Sequence, residues 1–83
     1  MDVFVIKRSW VYKNPANAKF NLDKVIAVAE SLDVCQQLTV LPLKPSELCW
    51  RTDAIEKQHP DGDVYYEFYE VERFPLQRRG QTR

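Results

Sequence analysis

Glycine is almost missing from this chain: Gly62 and Gly80 are the only two in 83 residues. A phosphate cradle built from several glycine amides is therefore excluded. Histidine is rarer still, with His59 alone. A general base needs a partner to orient it and a substrate or nucleophile in reach. His59 stands beside Pro60 at a hairpin tip, where an ordinary turn residue is the expectation. Cys35 and Cys49 are the only cysteines and fit no metal or redox spacing. One histidine cannot complete a four-ligand zinc site with them, so no metal or other cofactor is expected. Neither thiol has a histidine placed to make it a nucleophile. No apolar run approaches the roughly 20 residues of a membrane helix. Net charge is also missing, at +0, so overall charge steers the chain toward neither nucleic acid nor membrane. An enzyme is not expected from this inventory.

What is present is aromatic and β-favouring. The apolar fraction of 45% is that of a folded domain rather than a disordered segment. At this length the core must be thin. The start, MDVFVIKRSW, holds four apolar residues before Lys7 and no cleavage site. The expectation is a cytoplasmic protein with two reduced cysteines.

The most informative stretch runs from His59 to Phe74, HPDGDVYYEFYEVERF. Pro60 pre-sets φ, Asp61 bonds locally and Gly62 takes the φ > 0 position of a bulged hairpin turn. Tyr65 to Phe74 then has strand composition. Leu48 to Gln58 reads as the incoming arm, which puts Glu56 near Tyr66 and Ala54 near Phe68. A short helix over Ser46–Ile55 is the alternative. A first strand from about Asp2 to Lys13, bent near Lys7-Arg8, ends at Asn14-Pro15. Asn21 can cap a helix over Leu22–Asp33, with Phe20 and Val25 spaced as a hydrophobic staple. Leu22, Val25, Ile26, Ala29 and Leu32 would form its apolar stripe. Val34–Leu43 reads as a strand limited by Pro42 and Pro45. The expected fold class is α+β: a mainly antiparallel sheet in β-α-β-β-β order, with one amphipathic helix on one face. It would form a single domain over residues 1–75, with a flexible basic tail at 76–83.

Charge is unevenly distributed along this frame. Residues 47–72 carry eight acids against Arg51 and Lys57, while 73–83 carry four arginines and no acid. Acids interleaved with rings suit contact with another macromolecule. The leading reading is a non-enzymatic protein-binding module, an accessory or inhibitory factor. Its acidic aromatic hairpin, with Tyr65, Tyr69, Glu67, Glu70 and Glu72, would meet a basic partner. The alternative is a nucleic-acid-binding module using Lys7, Arg8, Trp10, Arg78 and Arg79, where rings stack on bases beside phosphate-seeking cations. The eight-acid stretch weighs against it. A homodimer is expected as well, through the Tyr65/Tyr69 face or through a strand edge, with the first strand the least protected.

Overall fold

A computed structural model describes residues 1–76, so Arg78, Arg79 and the rest of the basic tail beyond Leu76 lie outside the described residues. Among the described residues six strands form one antiparallel sheet: β1 (Asp2–Tyr12), β2 (Leu22–Ala29), β3 (Lys44–Ser46), β4 (Cys49–Arg51), β5 (Ile55–Gln58) and β6 (Val64–Pro75). The order is β2-β1-β6-β4-β3, with β5 also paired to β6. A 3-10 segment, Pro15–Phe20, links β1 to β2, and the helix α1 spans Leu32–Thr39. The molecule is long and thin, 57 × 25 × 21 Å. Its radius of gyration is 15.7 Å, against about 12 Å for a compact chain of this length.

The spine is β1 against β6, in register from Asp2↔Pro75 to Tyr12↔Tyr65. The expected hairpin is present, with Glu56 opposite Tyr66. Its incoming arm is strand rather than helix but is broken in two, and Ala54 falls in the break. Buried Thr52 bridges the gap: its N–H donates to the Tyr69 carbonyl and its Oγ1 accepts the Tyr69 N–H, each at 3.0 Å. At the turn, the Gly62 N–H donates to the His59 carbonyl at 2.9 Å and Gly62 has φ +94°. A side chain there meets backbone strain, so Gly62→Ala should lower stability by about 1 kcal/mol in a urea titration.

Two expected elements are corrected. Leu22–Asp33 is not a helix; Leu22–Ala29 is the strand β2 on β1. Three β-branched residues, Val25, Ile26 and Val28, favour the extended form there. Asn21 does not cap a helix, because its Oδ1 accepts the Tyr12 N–H at 2.8 Å. Val34–Leu43 is not a strand, because α1 occupies most of it. Ser31 is the true N-cap, its Oγ accepting the Val34 N–H at 3.3 Å, and Asp33 lies in the first turn. Leu32, Cys35 and Thr39 then recur at helical spacing on the inward side. The β-α-β-β-β order is thus replaced by six strands, with the helix between the second and third. β1 is interior, so its edge is not the open one.

Alternation assigns two faces to the spine. One carries Phe4, Ile6, Arg8, Trp10 and Tyr12 with Val71, Tyr69, Glu67 and Tyr65; the other carries Val5, Lys7 and Ser9 with Phe74, Glu72, Glu70, Phe68 and Tyr66. Ile6, Val71 and Cys35 are fully buried, with Ala29 nearly so. Phe4, Leu32, Leu43, Trp50 and Tyr69 pack around them, and Phe4 meets Trp50 edge-to-face at 5.9 Å. This core lies under α1 at one end of the first face. At the helix end Val40 has φ 65° and an exposed side chain. A β-branched residue is strained there, so Val40→Gly should raise the melting temperature, by the equivalent of up to about 1 kcal/mol.

Candidate functional site

The other end of the first face has no helix over it and is lined by rings instead. Tyr12 ends β1, Tyr65 stands opposite it on β6, and His59 comes from the hairpin tip. The His59 ring stacks on Tyr65 at 4.7 Å and on Tyr12 at 5.8 Å. Tyr12 Oη and His59 Nε2 are 2.9 Å apart and share a hydrogen bond. Phe20, from the 3-10 segment, meets Tyr12 edge-to-face at 6.1 Å. Such ring pairs add about 0.5–1.5 kcal/mol each beyond their burial.

Local sequence holds these rings in place. Asn14 accepts the Ala16 N–H through its side chain, and Pro15 begins the 3-10 segment. Asn17 Nδ2 donates to both carboxylate oxygens of Asp63, at 3.0 and 2.9 Å, pinning that segment to the hairpin. The Lys13 N–H donates to the Val64 carbonyl at 2.9 Å. Asp61 Oδ1 accepts the Asp63 N–H at 2.9 Å, a local turn bond.

Two hollows share Tyr12, Phe20 and His59. One, about 200 Å³, is completed by Trp10, Leu22 and Tyr65. The other, about 470 Å³, reaches Pro60, Asp61 and Asp63. Neither Asp61 nor Asp63 is ion-paired among the described residues. The result is an aromatic groove with two carboxylates at its mouth. Ring faces and carboxylates both attract a cation.

The residues singled out from sequence are not all brought together. Tyr65 lines the groove, whereas Tyr69 packs against the core under α1. Glu67 shares their face but is only 5% exposed. Arg8 Nε donates to it at 2.7 Å, and Lys57 Nζ pairs with its other oxygen at 2.7 Å. Burial pushes the Glu67 carboxyl up, but the hydrogen bonds from Lys57 and Arg8 outweigh that and hold it below its ordinary value. Glu70 and Glu72 point to the opposite face, where Glu70 pairs with Arg51 at 2.8 Å and Glu72 with Lys7 at 2.7 Å. The bond to Glu72 raises the Lys7 pKa, and the bond to Glu70 raises that of Arg51. The three glutamates are therefore internally neutralised.

The cations of the alternative reading are divided too. Arg8 stacks over Trp10 at 4.8 Å on the groove face, while Lys7 lies on the other. A third hollow, about 480 Å³, lies at the far end beside Glu47, Cys49, Arg51, Glu70 and Glu72; Glu70 and Glu72 are paired there with Arg51 and Lys7, while Glu47 has no ion pair among the described residues. Cys35 and Cys49 are both free thiols, and burial raises the pKa of each. Both stay protonated at neutral pH, the weak form as nucleophile and as metal ligand.

Comparison with protein-family models, curated proteins and solved structures found no match. Tyr12, Phe20, His59, Asp61 and Asp63 were not legible as one site, because the Tyr12–His59 contact spans 47 positions. The single local signal is the turn itself, which places His59, Asp61 and Asp63 together. No helix among the described residues is long and apolar enough to cross a membrane.

Proposed function

We propose that this chain is a non-enzymatic protein-binding module, an accessory or inhibitory factor, and that it holds a basic partner at the aromatic end of its sheet. The observation that carries this reading is the groove of Tyr12, Phe20, His59 and Tyr65 with Asp61 and Asp63 at its mouth. An arginine or lysine side chain entering it would lay its stem on the rings and its charge near the carboxylates. Tyrosine-lined, partly buried sites of this kind are where interfaces concentrate their energy. The hairpin identified from sequence still supplies Tyr65, while the acids doing the work are Asp61 and Asp63 rather than Glu67, Glu70 and Glu72. Two free cysteines fit the cytoplasmic placement expected from the sequence.

The nucleic-acid reading has less support. Arg8 is committed to Glu67 and Lys7 to Glu72, on opposite faces, so neither is free to take a phosphate beside Trp10.

The test is affinity capture of partners by wild-type chain, Tyr65→Ser and Asp61→Lys. Both variants should lose the partners that wild type retains, by tenfold or more, while keeping the wild-type circular dichroism spectrum. Retention of the same partners by both would refute the groove as the contact surface.

A further inference from the structure

We infer that the aromatic groove is gated by pH: a proton on His59 and the basic side chain of a partner exclude each other. The inference rests on the cation-accepting reading of the groove and adds its regulation. His59 is the chain's single histidine, and histidine is the side chain whose charge changes in mild acid. It lines both hollows of the groove. Its ring stacks against two tyrosines, 4.7 Å from Tyr65 and 5.8 Å from Tyr12, with interplanar angles of 26° and 22°. A neutral imidazole in that place is one more face for the stem of an arginine or lysine. A charged one is itself a cation held against two ring faces. The backbone fixes it there: the His59 N–H donates to the Asp63 carbonyl at 2.8 Å, and the His59 carbonyl accepts the Gly62 N–H at 2.9 Å.

The charges around the ring make the two cations competitors. Asp61 and Asp63 share the second hollow with His59, and neither is ion-paired among the described residues. They are the counter-ions for whichever cation is present. Tyr12 and Tyr65 face the ring from β1 and β6 with hydroxyls. The neighbouring cations have other positions. Lys57, on the strand that leads to His59, pairs with Glu67 at 2.7 Å, and Arg8 donates to Glu67 while stacking over Trp10. Lys19, in the 3-10 segment, stands over Phe20 at 5.2 Å. A proton on His59 therefore adds positive charge where a partner's ammonium or guanidinium would lie. The 2.9 Å contact with Tyr12 Oη accommodates both states, since the hydroxyl donates to a bare Nε2 and accepts from a protonated one. Protonation thus changes the charge of the groove without moving its rings.

The test is isothermal titration calorimetry of the full chain with an end-capped arginine-rich peptide, whose own charge is constant, at pH 8 and at pH 5.5. Wild type should bind about tenfold more weakly at pH 5.5. His59→Gln, which keeps a hydrogen-bonding side chain but takes up no proton, should bind equally at the two pH values. By reciprocity, saturating peptide should make the His59 ring resonances of wild type titrate at lower pH, a readout that needs no variant. Binding undiminished at pH 5.5, a His59→Gln form that weakens in acid as wild type does, or a His59 titration unmoved by peptide would each overturn the gate and leave the groove's role standing. No peptide binding at pH 8 would overturn both.

Discussion

Ile6→Ala is expected to cost about 2–4 kcal/mol, the range for removing most of a fully buried branched side chain. A domain of this length has about 4–12 kcal/mol to lose. Among the described residues Ile6 is one of only four buried apolar ones, with Ala29, Cys35 and Val71, so little neighbouring core is there to take up the void. Differential scanning calorimetry should show the melting temperature falling by roughly 10–25 °C. Val28→Ala is the matched control, since Val28 is exposed and its loss should leave the transition almost unchanged. Equal effects from the two substitutions would refute the assignment of the core to the end of the sheet beneath α1.

The second large effect concerns Glu67 and acid. This carboxylate is nearly buried on the sheet and receives Arg8 and Lys57 together. Glu67→Gln should cost about 1–2 kcal/mol at neutral pH. That is less than for a fully buried ion pair, because both cations can turn to water. The folded-state pKa lies below the ordinary 4.5, so the unfolded chain takes up the proton more readily than the folded one. The stability Glu67 confers is therefore complete above its unfolded value and is lost as pH falls through the lowered folded one. Urea midpoints measured from pH 7 to pH 3 should fall more steeply for wild type than for Glu67→Gln. Parallel acid limbs would remove Glu67 as the cause. The Lys7–Glu72 and Arg51–Glu70 pairs are more exposed and should contribute little.

Much of the frame was legible in the residues, and the errors share one cause. The β-branched run of β1 and the Pro60-Asp61-Gly62 turn each have a local mechanism, and each is present, whereas the irregularity expected near Lys7-Arg8 of β1 is an extra residue, Ile26, in β2 opposite Ile6-Lys7. The Glu56–Tyr66 register followed from the turn alone. Leu22, Val25, Ile26 and Ala29 satisfy helical spacing as readily as a bulged strand, and pairing with β1 decided the matter. Ser31 with Asp33 was the real helix start, ten positions after the competing signal at Asn21. The groove was hidden for a different reason. It joins the end of β1, the 3-10 segment and the hairpin tip, and only the β1–β6 register brings Tyr12 to Tyr65. Likewise the acids of β6 read as one surface from their order. Alternation divides them between faces, and the register hands each one a cation.

The groove's role is tested most directly by nuclear magnetic resonance titration of labelled protein with a short arginine-rich peptide, against an acidic peptide of equal length. The arginine peptide should shift the ring resonances of Tyr12, Phe20, His59 and Tyr65 and the amides of Asp61 and Asp63. It should leave Cys49, Arg51, Glu70 and Glu72 at the far end unmoved, and the acidic peptide should shift neither set. Shifts centred on that far end, or equal responses to the two peptides, would contradict a cation-accepting groove at the aromatic end of the sheet.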